Sequence, residues 1–196
     1  MLEAEQAIIV VVDAQGKLAR VVAENEACNR QIVQLVQGAG LLQIPVLLTA
    51  QAPEKLGPTI PEIARLLPGQ ADLPRITFSV FAEPAVRTAL ENSQRRQVLL
   101  CGYEAHICIF QSASDLLAAG YEVHLVSDAI SARQLTNKTV ALGELQRQGA
   151  HLATVEMALF AFLRDARHPA FRQISALIKQ PLAANPRSEN PAQEPF

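Results

Sequence analysis

Continuous runs of apolar, mostly β-branched residues are the feature that most constrains this chain. One such run, Ala7–Val12, ends at Asp13. Runs of this kind are typical of strands that are buried on both faces of a parallel sheet. Further segments that predict strands lie at 45–49, 97–101, 121–127 and 151–155. Because helical spacing of apolar residues separates them, the sequence predicts an α/β fold with a mainly parallel sheet covered by helices on both faces.

The segments between these strands carry apolar residues at helical spacing. They predict helices over 22–39, 59–67, 83–92, 106–119 and 136–148, and two C-terminal helical pieces over 157–164 and 169–179. Thr59 is the predicted N-cap of its helix, because threonine side chains accept hydrogen bonds from free N–H groups there. The sequence predicts a short extended segment over 73–79. We expect one domain over 1–180 and a proline-rich C-terminal tail over 181–196.

Composition excludes several classes of protein. The chain is 49% hydrophobic and 18% charged, which suits a sizeable core, and its net charge of −2 gives no electrostatic basis for binding nucleic acid or an anionic membrane. No segment approaches the ~20 apolar residues that span a bilayer. The N-terminus lacks the pattern of a signal peptide. Three cysteines cannot all pair, so we expect reduced thiols in a cytoplasmic protein.

Functional sites in open parallel sheets form at the carboxyl ends of the strands. This rule selects Asp13, residues 49–51, the region 75–79, residues 102–108 and Asp128. Neither a GxGxxG nor a GxxxxGK[ST] motif occurs in the chain. We therefore expect no nucleotide cofactor, and no other cofactor is indicated.

Cys108 lies where strand 97–101 gives way to helix 106–119. A helix N-terminus offers free N–H groups and the positive end of the helix dipole, and both favour a thiolate. The same N–H groups stabilise an oxyanion that forms when the thiolate attacks a carbonyl. Position alone leaves two interpretations open, a reactive nucleophile and a small buried hydrophobic residue. Cys28 and Cys101 are predicted to be structural.

The other polar candidates also have more than one interpretation. Asp13 suits an N-cap, a solvated loop residue or a general base. Arg75 suits a surface charge or a group in the cleft. His106, two residues from Cys108 on the same helix, does not face it, so we expect it to shape the pocket or a subunit contact. The remaining histidines, His124, His151 and His168, are predicted to be structural.

Several motifs occur together in an order that resembles the isochorismatase-like cysteine hydrolase superfamily. They are VVVDAQ (10–15), PVLLTAQ (45–51), LGPT (56–59), FS (78–79), LLCGYEAHICI (99–109), HLVSDAISAR (124–133) and HPAFRQISALIK (168–179). Within the superfamily the chain is most similar to the isochorismatase domain-containing proteins, up to about residue 180. The resemblance implies a three-layer α/β/α sandwich.

The resemblance also implies an activity and the residues that perform it. Members typically hydrolyse non-peptide C–N bonds of small amide or carbamoyl compounds with an Asp–Lys–Cys triad. Asp13 matches the aspartate and Cys108 the nucleophile. A cis peptide bond is implied at Tyr103–Glu104, and the backbone N–H groups of Glu104 and Cys108 are implied to form the oxyanion hole.

The chain departs from the family pattern at the triad lysine, because Arg75 stands at that position. Arginine keeps the positive charge but does not give up its proton at physiological pH. Two hypotheses follow. In the first, Arg75 supports the thiolate or binds a substrate carboxylate in a working hydrolase; in the second, the chain is a weakened family member that acts as a ligand-binding or assembly protein. Lys17 and Lys55 are the alternative lysines.

Two further expectations follow from the resemblance. Residues 49–62 contain no histidine, whereas the nicotinamidase branch carries an Asp/His metal cluster after the second strand, so we expect no catalytic metal and disfavour nicotinamide as the substrate. Members usually form dimers or larger assemblies, so we expect a homo-oligomer. The C-terminal apolar residues Phe160, Phe162, Phe171 and Ile174 suit either the core or an interface.

Overall fold

The computed structural model describes residues 1–179 of the chain. Within this range one sheet is formed by β1 (Ala7–Val12), β2 (Val46–Gln51), β3 (Leu73–Arg75), β4 (Gln97–Gly102), β5 (Glu122–Ile130) and β6 (His151–Ala153). The strand order is β3-β2-β1-β4-β5-β6, and every neighbouring pair is parallel. The predicted tail over 181–196 lies outside the described residues, and the domain boundary at 180 stays a prediction.

Helices connect the strands. They are α1 (Leu18–Val21), α2 (Asn25–Leu41), α3 (Pro53–Leu56), α4 (Pro61–Ala64), α5 (Pro84–Ser93), α6 (Phe110–Ala118), α7 (Leu135–Arg147), α8 (Val155–Leu163) and α9 (Phe171–Ile178), with a π-helical turn over Ala105–Ile109 before α6. Helices α1 and α3 were not predicted, because a single helical turn holds too few residues to show apolar periodicity. Among the helices of residues 1–179, none combines the length and the apolar composition that a membrane span requires.

Two apolar clusters cover the two faces of the sheet. Residues of β1 alternate between them: Ile9 and Val11 pack with α2, α8 and α9, whereas Ile8 and Val10 pack with α5, α6 and α7. Every residue of β1 is buried, which explains why its sequence is continuously apolar rather than alternating. The predicted three-layer α/β/α sandwich around a parallel sheet is therefore confirmed.

The C-terminal helices contribute mainly to the core. Phe162 and Ile174 are buried in the cluster that includes α2, and Phe171 packs against it. Phe160 is partly exposed and meets the ring of Phe171 edge to face, with the centroids 6.3 Å apart. The sequence left open whether these four residues belong to the core or to an interface. The contacts place three of them, Phe162, Phe171 and Ile174, in or against the core.

Three predicted segments differ from the structure. Thr59 is not an N-cap, because its N–H and hydroxyl both donate to the Asp72 carboxylate, and the helix begins at Pro61. The predicted extended segment 73–79 ends as a strand at Arg75, after which the Thr77 hydroxyl donates to the Ser79 carbonyl in a turn. The predicted helix 106–119 consists of the π-helical turn and α6.

Strand β5 is longer than predicted. It continues beyond residue 127 because the pairing of β4 with β5 shifts register between Leu100 and Gly102, so that Gly102 pairs with Ile130. Asp128 consequently lies within the strand rather than beyond its end. Its carboxylate accepts the N–H of Val155 at 2.9 Å, the first residue of α8, so Asp128 has a structural role there.

Candidate active site

The carboxyl ends of four neighbouring strands meet at one edge of the sheet. Asp13 follows β1, Gln51 ends β2 and Arg75 ends β3. Cys108 lies in the π-helical turn shortly after β4. Since β3, β2, β1 and β4 are consecutive in the sheet, the four residues lie close together although up to 95 positions separate them in the sequence. We call this group of Asp13, Gln51, Arg75 and Cys108 the carboxyl-edge site.

Asp13 and Arg75 form a buried ion pair. Both side chains are inaccessible to solvent, and Nη2 of Arg75 donates to Oδ2 of Asp13. Arg75 also donates from Nη1 to the carbonyl of Thr77, and Asp13 Oδ1 accepts the N–H of Gln51 at 3.1 Å. A buried charge needs such partners, because desolvation otherwise costs several kcal/mol. The pair therefore fixes both side chains in one geometry.

Burial and the two charges have competing effects on the pKa values of Asp13 and Cys108. Burial raises the pKa of the Asp13 carboxyl, while the Arg75 guanidinium and hydrogen bonds at the carboxylate oppose that rise. Burial and the neighbouring Asp13 charge raise the pKa of the Cys108 thiol to about 12, although Arg75 acts in the other direction. The thiol is therefore protonated at neutral pH. It becomes a nucleophile only if a base accepts its proton.

This thiol differs from the sequence-based expectation of a thiolate at a helix N-terminus. Cys108 is the fourth residue of the π-helical turn, and the dipole of α6 begins only at Phe110. The thiol is almost fully buried and donates to Oε1 of Gln51 at 3.7 Å. Burial beside a carboxylate outweighs the nearby positive charge, so the position of Cys108 in the fold does not by itself acidify it.

The backbone around Cys108 is held by several hydrogen bonds. The N–H groups of Ile107 and Ile109 both donate to the Glu104 carbonyl at 3.1 Å. Ser112 donates from its hydroxyl to the Cys108 carbonyl at 2.5 Å and accepts the N–H of Val80 at 2.9 Å. Ser112 thus joins the turn that carries Cys108 to the loop after Arg75. It was not predicted from the sequence, because a serine within a helical pattern carries no distinctive signal.

The Tyr103–Glu104 peptide bond is cis, at the position that the family resemblance implies. Tyr103 is fully buried, and its hydroxyl donates to Asn29 at 2.5 Å. Among the described residues, no hydrogen-bond acceptor is paired with the backbone N–H of Glu104. That donor, which precedes the turn carrying Cys108, is free to bind a ligand atom.

Glu104 and His106 form a separate polar group beside the turn. The buried Glu104 carboxylate accepts from Nε of Arg133 at 2.5 Å, and its other oxygen is 3.4 Å from Nδ1 of His106. Nε2 of His106 is 3.4 Å from the amide of Asn137. Both ring nitrogens of His106 thus face groups other than Cys108, and the two residues form no dyad, as the i, i+2 spacing predicts.

Gln15 is a further residue that the strand-end rule did not select. It is fully buried, and its side-chain amide donates to the carbonyls of Gln51 and Gly57 at 3.1 and 2.5 Å and accepts the N–H of Gln51 at 2.9 Å. Gln15 thereby fixes the end of β2 against the Asp13 loop. Lys17 and Lys55, the alternative lysines, are exposed on the surface and do not join the carboxyl-edge site.

The described residues place no group of three potential metal ligands at the carboxyl-edge site, and the group that they do form lies elsewhere on the sheet. The three cysteines are all free and buried. Burial raises the pKa of Cys28 to about 12 and that of Cys101 above the usual thiol range. Cys108 differs from both in its place at the carboxyl edge, where the paired side chains of Asp13 and Arg75 act on it.

The fold and the site define an α/β/α protein with a buried Asp–Arg–Cys cluster at the carboxyl edge of a parallel sheet. Comparison with known proteins specifies its family. The isochorismatase domain model matches residues 7–157. Isochorismatase domain-containing protein 2A of Mus musculus is 38% identical over 179 residues, covering 91% of this chain and 85% of that relative. The secreted isochorismatase effector Isc1 of Phytophthora sojae is 40% identical over 152 residues, covering 76% and 72%. The chain belongs to the isochorismatase family and carries its hydrolase domain.

Solved structures show the same fold. The MAR1 ribonuclease of Caenorhabditis elegans superposes with a TM-score of 0.86 and 28% identity, with 98% of each chain covered. The YcaC gene product of Escherichia coli, described as an octameric hydrolase of unknown specificity, has a TM-score of 0.81 at 21% identity and covers 89% of this chain and 94% of its own. At this level of identity the second likeness concerns the fold alone.

Proposed function

We propose that this protein is a cysteine hydrolase that cleaves a non-peptide C–N bond, of the amide or carbamoyl type, in a small molecule. The observation that carries the proposal is the convergence of Asp13, Arg75 and Cys108 in one buried cluster at the carboxyl edge of the sheet. A thiol, a carboxylate and a fixed positive charge are the groups that covalent acyl transfer needs. Membership of the isochorismatase family supports a hydrolase.

The first half of the reaction forms a thioacyl-enzyme. Asp13 accepts the thiol proton as Cys108 Sγ bonds to the substrate carbonyl carbon, and the negative charge on the carbonyl oxygen is held by the N–H groups of Glu104 and Cys108. Arg75 supports the developing thiolate with its fixed positive charge. Because its side chain is sealed from solvent and its terminal nitrogens donate to Asp13 and Thr77, this role is favoured over binding of a substrate carboxylate. The C–N bond then breaks, and the nitrogen leaves as the amine with the proton from Asp13.

The second half releases the acid. Asp13 accepts a proton from water as the water oxygen attacks the thioester carbon, and a second oxyanion forms in the same place. When the C–S bond breaks, Sγ takes the proton back from Asp13. Each cycle therefore consumes one water and leaves both side chains in their starting protonation states. Arg75 is not required to release a proton in any of these steps.

Trapping of the covalent intermediate tests the proposal. We would incubate the wild type with a panel of small amides, ureido compounds and carbamoyl compounds, quench in acid and map peptides by mass spectrometry. The expected result is a mass increase equal to the acyl group on the Cys108 peptide, and none in Cys108→Ala. Hydrolysis of a substrate by Cys108→Ala at the wild-type rate would contradict the covalent mechanism.

A second function is favoured by the ion pair itself. Arg75 pairs with the Asp13 carboxylate, and both side chains are sealed from solvent, as suits a protein that uses the fold for ligand binding or assembly rather than for catalysis. Arg75→Lys discriminates between the two functions. A large gain in hydrolysis in Arg75→Lys would mean that arginine weakens an inherited triad, whereas a loss would mean that the site works with arginine.

We also propose that the protein forms a homo-oligomer. The loop after β3 exposes Ile76 by 86% and Phe78 by 50%, and α7 exposes Val140 by 66%. Large apolar side chains with this much exposure are candidates for a covered surface, and the structural neighbour from Escherichia coli is described as octameric. Light scattering coupled to size exclusion would measure the mass, and a monomer at micromolar concentration would contradict the proposal. Cytoplasmic location stays a prediction, as one relative is a secreted effector.

A further inference from the structure

A second polar cluster lies at the opposite, amino edge of the sheet. Glu122 is the first residue of β5 and His151 the first of β6, and His124 pairs in register with His151. Residues two apart in a strand share a face of the sheet, and in-register residues of neighbouring strands lie side by side. The three side chains therefore project together. We call Glu122, His124 and His151 the amino-edge cluster.

The potential ligand atoms of this cluster are close together. Nε2 of His124 is 2.8 Å from Oε1 of Glu122, Nε2 of His151 is 3.9 Å from the same oxygen, and all the ligand atoms lie within 4.8 Å of one another. A tetrahedral Zn²⁺ with bonds of about 2.0–2.1 Å separates its ligands by about 3.3 Å. The observed separations lie on either side of this value, so rotations of the exposed side chains are sufficient to reach it.

The surroundings suit an ion that keeps one position open. Nε2 of Gln97 donates to Oε2 of Glu122 at 2.9 Å, which leaves Oε1 directed at the two imidazoles. Metal-binding carboxylates are commonly oriented by such outer hydrogen bonds. The His151 side chain is 58% exposed, whereas that of His124 is only 8% exposed. One buried ligand and one exposed ligand provide a route of entry for the ion and access for water to a fourth position.

We propose that the amino-edge cluster binds a single Zn²⁺ ion, or another divalent ion of similar preference, through Glu122, His124 and His151. Two imidazoles and one carboxylate suit Zn²⁺ and its transition-metal neighbours, whereas Mg²⁺ and Ca²⁺ prefer oxygen ligands alone. The ion joins β5 to the three-residue strand β6 at the edge of the sheet. It lies at the end of the strands opposite to Cys108, so its role is to stabilise the sheet edge rather than to take part in hydrolysis.

Calorimetric titration of the untagged full chain with Zn²⁺ tests this proposal. We expect one ion per chain, and dissociation constants at least ~10-fold higher in His151→Ala and Glu122→Gln than in the wild type. His151 is exposed, so its replacement leaves the core intact. Two controls remove potential ligands outside the amino-edge cluster: His168→Ala, in the segment between α8 and α9, and Cys108→Ala, at the carboxyl-edge site. Both are expected to bind Zn²⁺ as the wild type does.

Thermal unfolding supplies a second readout. Zn²⁺ is expected to raise the Tm of the wild type and of Cys108→Ala but not of His151→Ala, and Mg²⁺ is expected to change none of them. The proposal is overturned if the wild type shows no saturable Zn²⁺ binding, if His151→Ala binds Zn²⁺ as tightly as the wild type, or if binding is lost in Cys108→Ala. In any of these cases the cluster is a hydrogen-bonded group without an ion.

Discussion

The two ends of one sheet carry polar clusters of opposite character. At the carboxyl edge, Asp13 and Arg75 are sealed from solvent and paired with each other, with the thiol of Cys108 beside them. At the amino edge, the side chains of Glu122 and His151 remain partly exposed. The first arrangement satisfies its charges within the chain, whereas the second has room for an ion from solution.

The difference arises from the segments that flank the strands. Gln15, in the loop after β1, donates to the carbonyls of Gln51 and Gly57 and so joins that loop to the end of β2 and to the segment that follows it. The amino ends of β5 and β6 follow turns at Gly120 and Gly149, which have positive φ angles, and the Glu122 and His151 side chains there are 36% and 58% exposed. Burial therefore fixes charges at one edge, and exposure leaves side chains adjustable at the other.

Replacement of the nucleophile is expected to produce the largest effect. Cys108→Ala should lower kcat/KM on any hydrolysed substrate by at least ~10³-fold, because no other nucleophile is present in the carboxyl-edge site. Cys101→Ala is the matched control, since Cys101 is fully buried in β4 but has no catalytic neighbour. It should keep its kcat/KM and lose only about 1 kcal/mol of stability. Equal loss of activity in both variants would contradict the difference between the two thiols.

The buried ion pair should dominate stability at the carboxyl edge. Arg75→Met leaves the Asp13 carboxylate buried without its partner, and urea denaturation at neutral pH should show a loss of about 3–5 kcal/mol in the free energy of unfolding. The control, Arg147→Met, removes an exposed arginine that pairs with Glu144 and should cost less than about 0.5 kcal/mol.

A double variant tests the coupling between the two charges. Asp13→Asn combined with Arg75→Met removes both charges, so the double variant should be less destabilised than the sum of the two single variants. If the loss in the free energy of unfolding of the double variant equalled the sum of the two single losses, Asp13 and Arg75 would contribute to stability independently, which would contradict the coupling.

Gly102 tests how tightly the carboxyl edge is packed. A Cβ on Gly102 would lie 1.9 Å from the carbonyl oxygen of Val12, and φ at Gly102 is +112°. Gly102→Ala must therefore displace the backbone between β4 and the turn of Cys108, and we expect a loss of about 3 kcal/mol together with reduced activity.

Gly120→Ala is the matched control for backbone strain. Its φ is also positive, at +84°, but no described residue lies within 4 Å of an added Cβ. It should cost about 1–2 kcal/mol and leave activity unchanged. Thermal unfolding compares the two variants, and equal losses would show that backbone strain rather than packing controls both positions.

Much of the fold could be predicted because buried parallel strands leave a strong signal in the sequence. The first residues of β1, β4 and β5 that were predicted from the apolar runs agree with the structure to within one residue. The ends were less predictable. The register shift beyond Leu100 that lengthens β5 is a tertiary effect, and the π-helical turn at Cys108 has the same apolar pattern as the helix that continues it.

The site was only partly predictable, for a related reason. The strand-end rule selects Asp13, Arg75 and Cys108 one at a time, but their pairing depends on strand order, which no local pattern encodes. The rise in the pKa of Cys108 likewise depends on burial beside Asp13. The amino-edge cluster was missed because His124 and His151 are far apart in the sequence and meet only through the register of β5 and β6.

The most direct test of Asp13 as the activating base is the rate of iodoacetamide alkylation at Cys108 against pH, resolved by site with mass spectrometry in the wild type and in Asp13→Asn. Cys28 and Cys101 are internal controls. Below its pKa of about 12, a thiol without a base reacts about tenfold faster for each unit of rise in pH, because the thiolate fraction rises by that factor.

We predict that Cys108 reacts fastest of the three cysteines in the wild type, with only a weak dependence near neutral pH because Asp13 accepts the proton. In Asp13→Asn the reaction should be slower at pH 7 and rise by about tenfold per unit. The Asp13 charge also raises the pKa of the thiol, so if Asp13 were no more than a charge, Asp13→Asn would react faster than the wild type. That result would contradict the proposed role of Asp13 as the base that activates Cys108.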